Sequence, residues 1–355
     1  MKRALRHLSR LLPALLSLGL LAWVLRSADL GRALGLVHSL GWRLPLLLLP
    51  NLVAILVETS GWWLSFSRLG GRPPLHRLLA VRVAVDALML GLPSGSVVSE
   101  TVQPILLKRR CAVPFERAIV ASVARKFFVV VSHGLFLGVA TLLAWTVLDR
   151  DSMAAIGRRG LPWLLLAASL VLVAVALATV AATAHGKLAD RLHRGLDRLG
   201  GRWLGSWLER NAPRFQRTDE GLAAFFQQDR AGLVPPVLLY ELAWFARSVE
   251  TWLFLWLVGV DVPLVAAMVI ETALILVRAM AVPVPAGLGV QDAGYVLCLR
   301  ALAVPDATTV GAAFVVLKRG KDAFWILLGF LLLGVGRRRD EAAAAVIAEG
   351  GPAPS

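Results

Sequence analysis

Charged residues recur in matched sets inside the apolar runs of this chain, and that pattern restricts its fold more than any other. Val57-Glu58-Thr59 returns as Val249-Glu250-Thr251, an offset of 192 residues. The same offset carries Pro93-Ser94-Gly95 with Glu100 onto Pro285-Ala286-Gly287 with Asp292, and Lys108 onto Arg300. No gap is needed across these matches. A charge at the centre of a membrane helix costs on the order of 2.5–3.5 kcal/mol on the insertion scale. Side chains kept at that cost must face one another or a wet cavity rather than lipid. Two copies of one polar device in apolar sequence are the layout of a secondary transporter, with its site where the copies meet.

Composition agrees. The chain has 355 residues, of which 57% are hydrophobic, against roughly 45–50% in a soluble domain. Mean hydropathy is +0.70. Several runs reach the ~20 apolar residues that cross a bilayer, so an all-α polytopic membrane protein is expected, with no room for a large soluble catalytic domain. The net charge of +15 would raise nucleic acid as a partner in a soluble protein; here the excess of Lys and Arg in cytoplasmic loops explains most of it, and no nucleic acid is expected. Cys111 and Cys298 give neither a disulfide framework nor a metal spacing, and the histidines form no HExxH-type pair. No metal or cofactor is expected.

Spans are expected at about 8–26, 44–67, 115–148, 161–184, 233–258 and 306–335. The first follows Lys2, Arg3, Arg6 and Arg10, as a signal peptide would, but no small-x-small cleavage site follows it, so an uncleaved span is expected. Two further apolar stretches, 78–107 and 264–302, are broken by Pro93-Ser94-Gly95 and by Pro283, Pro285, Gly287 and Gly289. A helix interior does not tolerate that density of breakers. Each stretch reads as two short helices forming a re-entrant hairpin, with irregular backbone covered by protein or lining a cavity.

Lys and Arg test the topology. With the N-terminus inside, 23 of them fall on cytoplasmic segments and six on outer loops. Trp23 and Trp42 flank the first outer loop, and Trp145 and Trp163 the second, as an aromatic belt does. Three crossings then separate the hairpins, so 78–107 enters from the cytoplasm and 264–302 from the opposite face. The expected plan is two inverted repeats, 1–148 and 149–335, followed by a disordered cytoplasmic tail, 336–355. Both termini are cytoplasmic in this plan. Segment 185–232 places Leu188, Leu192, Leu196, Leu199 and Trp203 at helical spacing among Lys187, Arg191, Arg194, Arg198 and Arg202. It reads either as a basic amphipathic helix on anionic inner-leaflet lipid or as a plain connector.

The most specific constellation is Pro-x-Gly-x4-acid-x7-base, found at Pro93, Gly95, Glu100 and Lys108 and again at Pro285, Gly287, Asp292 and Arg300. A Pro-x-Gly turn frees backbone groups, and the half-helix after it presents a partly positive N-terminus to an anionic head group. The acids are also suited to plain helix capping. Glu58 and Glu250 lie in the span before each hairpin, and Arg125-Lys126 and Lys318-Arg319 in the span after it. These sets read as a polar pathway for a charged head group, or as internal salt bridges that lock the bundle. His133 reads as a packing residue. No Gly-rich phosphate loop is present, and Ser94 and Ser96 lack a plausible His base.

Pro283-Val284-Pro285-Ala286-Gly287-Leu288-Gly289-Val290-Gln291-Asp292 resembles the Pro-Gly-Gly-x-Gly-x-x-Glu signature of the flippase-like membrane family, which shares its fold with the transmembrane domain of lysylphosphatidylglycerol synthase. Pro93-Ser94-Gly95, Glu100, Gln103-Pro104 and Leu106-Leu107-Lys108-Arg109 resemble its earlier block, and the resemblance covers about 10–335. Gly289–Val296 followed by Lys318-Arg319-Gly320-Lys321-Asp322 is most similar to the branch associated with hopanoid biosynthesis. Three positions depart from the pattern: Asp292 replaces Glu, Ala286 replaces Gly, and Ser99 stands where Gly is common.

The resemblance implies translocation of an amphipathic lipid, anionic or isoprenoid-type, between leaflets of a bacterial inner membrane. The alternatives are an accessory subunit docking lipid-biosynthesis enzymes and, least favoured, an intramembrane lipid-modifying enzyme. The synthase members carry an aminoacyl-transferring soluble domain after the membrane part. This sequence reaches Ser355 without one, so it is not expected to make lysyl-lipid itself. Glycine and proline positions Gly95, Gly287, Gly289, Pro93 and Pro285 join Glu58, Glu100, Lys108, Arg125, Lys126, Glu250, Asp292, Lys318 and Arg319 as the candidate transport site.

Overall fold

A computed structural model describes residues 28–92, 94–156, 159–184, 216–280, 287–302 and 304–348, with Gly19, Ala22 and Arg26. These residues form twelve α-helices and no strand. Their order is α1 (Leu30–Ser39), α2 (Leu49–Ser65), α3 (Leu75–Gly91), α4 (Gly95–Cys111), α5 (Phe115–Leu143), α6 (Trp145–Ile156), α7 (Leu161–Ala184), α8 (216–227), α9 (Val234–Leu257), α10 (Leu264–Met280), α11 (Val290–Ala301) and α12 (Ala307–Ala348).

Among the described residues, three helical stretches are long and apolar enough to cross a membrane: Gly41–Leu69, Phe115–Leu143 and Leu161–Thr183. The first joins α2 to 3-10 turns at both ends. Helix α9 has the length, 24 residues, but carries Glu241, Arg247 and Glu250, which is why hydropathy alone misses it. The expected span at 8–26 lies outside the described residues except for the three isolated positions. The expected span 115–148 divides at Ala144, just ahead of Asp149 and Arg150, and α6 starts there. Trp145 and Trp163 meet edge to face across that break, ring centroids 5.0 Å apart.

Two differences from the sequence reading have local causes. Helix α1 occupies the loop expected on the outer side, N-capped by Asp29, whose carboxylate accepts from the Arg32 N–H at 2.9 Å. Its Ala33 is buried against residues of α12. Helix α12 continues through 336–348, part of the tail expected to be disordered. Ala342–Ala345 are the strongest helix formers and keep the helix going. Residues 349–355 lie outside the described set.

The hairpins are helix pairs. Helices α3 and α4 have 17 residues each, about 25 Å at 1.5 Å per residue, somewhat short of a ~30 Å hydrocarbon core. Helix α11 has 12 residues, about 18 Å, far too short to cross. Gly95 makes the first hairpin close: a Cβ there would lie 2.4 Å from the carbonyl oxygens of both Leu88 and Met89. Ser94, ahead of it, takes the left-handed conformation with φ 53°.

The two halves pack by exchange. The first hairpin helix α3 packs on α12, and its counterpart α10 packs on α5. Helices α2 and α9, which occupy matching places in the two halves, pack directly on each other. Their contact is built from small residues: Ala54, Ala243 and Ala246 are buried together, and Gly61 lies against Tyr240. Small side chains let membrane helices approach closely. Gly134 and Gly138 do the same for α5 against α7, where Ser169 donates to the Gly134 carbonyl at 2.7 Å. The other face of α7 exposes Leu170, Val171 and Leu177, as a lipid-facing helix does.

Much of the basic segment 185–232, residues 185–215, lies outside the described set. Its last part, α8, is not a free basic surface. Leu222, Phe225 and Phe226 bury against Val120, Ala124 and Phe128 of α5. Arg68 clamps the helix end, donating to the Phe225 carbonyl at 2.9 and 3.2 Å and to the Asp229 carbonyl at 2.9 Å.

Candidate functional site

Charged side chains from α2, α3, α4, α5, α9, α10 and α12 converge on a cavity of about 200 Å³. Glu58, Glu100, Arg125, Lys126 and Glu250 of the sequence-derived set border it. So do Arg82, Asp86, Arg247, Glu271, Lys321 and Asp322, which that set did not include.

The first half of the network centres on Glu58. Its Oε2 accepts from Arg82 at 2.9 Å and from Arg247 of the opposite half at 2.6 Å. Arg82 also pairs with Asp86, one turn further along α3. Arg125 donates to Gln103 Oε1 at 2.6 Å and lies over the Trp62 ring, 5.4 Å from its centroid.

The second half centres on Lys318. Its ammonium donates to Glu250 Oε1 at 2.7 Å, Thr251 Oγ1 at 2.9 Å and Glu271 Oε2 at 3.1 Å. Phe254, Phe314 and Tyr295 surround it, with ring centroids 5.4, 5.7 and 5.9 Å from Nζ. Lys321 reaches the same Glu250 oxygen at 2.9 Å. Lys318 is therefore the second half's counterpart of Arg125: each is a buried cation on the last helix of its half, lying against aromatic rings.

The hairpin acids behave differently in the two halves. Asp292 is sealed. It accepts from the Gly289 N–H at 2.8 Å and from Arg319 at 2.6 and 3.0 Å, and its side chain is 1% exposed. Capping and ion pairing are thus both true of it, and the seat at the N-terminus of α11 is filled by the protein's own carboxylate. Gly287 and Gly289 form the turn before it, with φ 62° and 78°, values that suit glycine. Glu100 does no capping, sitting in the second turn of α4. It pairs with Lys126 at 2.8 Å, with side chains 38% and 57% exposed.

Three other expected site residues fall elsewhere. Lys108 is exposed at the C-terminal end of α4 beside Arg109 and Arg110, where cations favour the helix dipole; it does not reach the cavity. Pro93 and Pro285 lie outside the described residues. His133 packs as expected, its ring stacked on Trp244 at 4.5 Å and hydrogen-bonded to the Thr272 carbonyl at 3.0 Å.

In the sequence Arg82, Asp86, Arg247, Glu271, Lys321 and Asp322 stand out as charges inside apolar runs, which must face one another or a wet cavity. Arg82 and Asp86 are spaced i,i+4, which places opposite charges on one helix face. What keeps them out of the candidate set is that they are not duplicated: the positions matching Arg82, Arg247 and Glu271 are Leu274, Ile55 and Leu79.

Charge balance is close to complete. Glu58, Asp86, Glu100, Glu250, Glu271 and Asp322 border the cavity against Arg82, Arg125, Lys126, Arg247 and Lys321. Lys318, bonded to two of these acids, makes the numbers equal. Several buried polar atoms remain without a partner, among them Glu250 Oε2, Arg125 Nε and Gln103 Nε2.

Apolar helices that expose leucine and valine outward and seal charge around an inner cavity define an all-α polytopic membrane protein. Residues 10–319 match the family described as the lysylphosphatidylglycerol synthase TM region. The chain belongs to that family. No curated protein matches it.

Proposed function

We infer that this protein moves an amphipathic lipid between the leaflets of a bacterial inner membrane, acting as a translocase rather than an enzyme. The observation that carries this reading is the contrast between two matching ion pairs. Lys126–Glu100 and Arg319–Asp292 occupy the same place in the two halves, yet the first is open and the second sealed. A bundle serving only as a structural lock has no use for one open copy. A carrier whose halves take turns needs one copy open and the other shut. With the halves inverted and both termini cytoplasmic, exchanging their conformations would open the Asp292 side and close the Glu100 side. The basic part of 185–232 would rest on anionic inner-leaflet lipid.

Proteoliposomes carrying a fluorescent lipid test this, with a membrane-impermeant quencher reporting how much label changes leaflet. Wild-type protein should expose inner-leaflet label, and Glu100→Gln combined with Asp292→Asn should abolish the effect. Because Asp292 also caps α11, the exposed-site variant Lys126→Met serves as a second probe that leaves the fold intact. Undiminished flipping in both variants sinks the site assignment, and no flipping by the wild-type protein sinks the translocase reading in favour of an accessory role.

A further inference from the structure

The polar cavity has a neighbour. A second hollow of about 540 Å³ lies between α4, α5 and α7, and its lining is mostly apolar. Ile119, Val123 and Val130 line it from one face of α5, and Val175 and Thr179 from α7. Glu100 and Lys126 border both spaces. The wall between the two spaces is therefore the ion pair whose members are the most exposed of those around the cavity.

The shape is that of an amphipathic molecule: a polar chamber beside an apolar groove, divided by the cavity's most exposed ion pair. The charge count narrows the occupant. The chamber is balanced, so a head group with net charge would bring an uncompensated charge into a desolvated space, which is costly. A zwitterion brings none. At the dividing wall, Glu100 can exchange Lys126 for the ammonium while Lys126 takes the phosphate, so opening the pair leaves neither charge alone.

We propose that Glu100 and Lys126 form a lateral gate through which a zwitterionic phospholipid seats its head group in the polar cavity and one acyl chain in the groove of Ile119, Val123, Val130, Val175 and Thr179. This rests on reading the cavity as a head-group site, and its test is binding, kept separate from flipping.

The probes are three lipids with a photoactivatable group on the acyl chain: zwitterionic phosphatidylethanolamine, anionic phosphatidylglycerol and a cationic ethyl-phosphocholine lipid. Each is added to the full-length protein in mixed micelles, and labelled peptides are mapped by mass spectrometry. Phosphatidylethanolamine should label the α7 peptide containing Val175 and Thr179, with the two charged lipids about tenfold weaker, the factor that 1.4 kcal/mol of binding energy gives. Lys126→Glu should turn the preference towards the cationic lipid and Glu100→Lys towards the anionic one. Folding of each variant is checked by circular dichroism before its labelling is compared with that of the wild-type protein. Equal labelling by all three lipids, labelling spread over every lipid-facing helix, or variants that keep the wild-type order would each overturn the proposal. Selective labelling without flipping would keep the gate and refute the translocase; flipping with a preference for phosphatidylglycerol would do the reverse.

Discussion

Replacing Lys318 by methionine should be one of the most damaging single changes in this bundle, and replacing Lys126 one of the mildest. Both are cations on the last helix of a half, and both pair with carboxylates. They differ in exposure: the Lys318 side chain is 7% exposed and that of Lys126 57%. Lys318→Met leaves Glu271, itself 8% exposed, with the Thr251 and Tyr295 hydroxyls at 2.5 and 3.3 Å but without its ammonium partner. Glu250 keeps Lys321. Removing one partner of a buried ion pair costs about 3–5 kcal/mol, because the remaining charge stays desolvated. At Lys126 the orphaned Glu100 is 38% exposed and borders both the cavity and the neighbouring groove, so it is less desolvated than Glu271 and its loss of a partner should cost less. Denaturant unfolding of the purified protein in mixed micelles measures both. Adding Glu271→Gln to Lys318→Met removes the stranded charge and should recover a large part of the loss. The reasoning fails if the two single variants unfold at the same midpoint, or if the second substitution simply adds its own cost.

Two further outcomes follow from the packing. Gly95→Ala forces a Cβ to 2.4 Å from two carbonyl oxygens, so it should lower the melting temperature sharply or abolish folded protein, whereas Gly320→Ala, with nothing within 4 Å, should be neutral or gain up to about 1 kcal/mol of helix propensity. Arg247 and Glu58 join the halves at 2.6 Å. A double-mutant cycle of Arg247→Gln and Glu58→Gln should therefore give a coupling of about 1–3 kcal/mol in unfolding, and a coupling near zero would show that the halves are held by apolar packing alone.

The sequence carried the membrane class and most helices because apolar length and charge bias are local signals. Helices α7 and α9 lie within a residue of their expected limits. It singled out site residues only where the site is duplicated, and showed the other cavity charges only as charges inside apolar runs. Glu58 and Glu250, Glu100 and Asp292, and the two cation pairs stand out because each is seen twice. Even there one register slips: Lys126 matches Lys318 at the common offset, yet in space Lys126 corresponds to Arg319, since each holds its hairpin acid, and Arg125 corresponds to Lys318. One extra residue lies between Asp292 and Lys318, so the pair Arg125-Lys126 answers the pair Lys318-Arg319, as the sequence reading has it. Lys108 errs in the opposite direction, its match with Arg300 reflecting helix ends and not a shared site.

The unduplicated charges are the more instructive set. An ion pair between halves needs complementary partners, not copies, so its members have no reason to repeat. Arg247 faces Glu58 across the interface, while the position matching it is Ile55. Arg82 supplies the second cation for Glu58, and Glu271 the second acid for Lys318. Each of these three departures from the repeat thus adds a charge opposite to a duplicated one already there. The duplicated residues mark what both halves share, two acids and two cations apiece. The unduplicated ones complete the pairing between them, leaving Glu100–Lys126, among the described residues, as the cavity's one ion pair with both members well exposed.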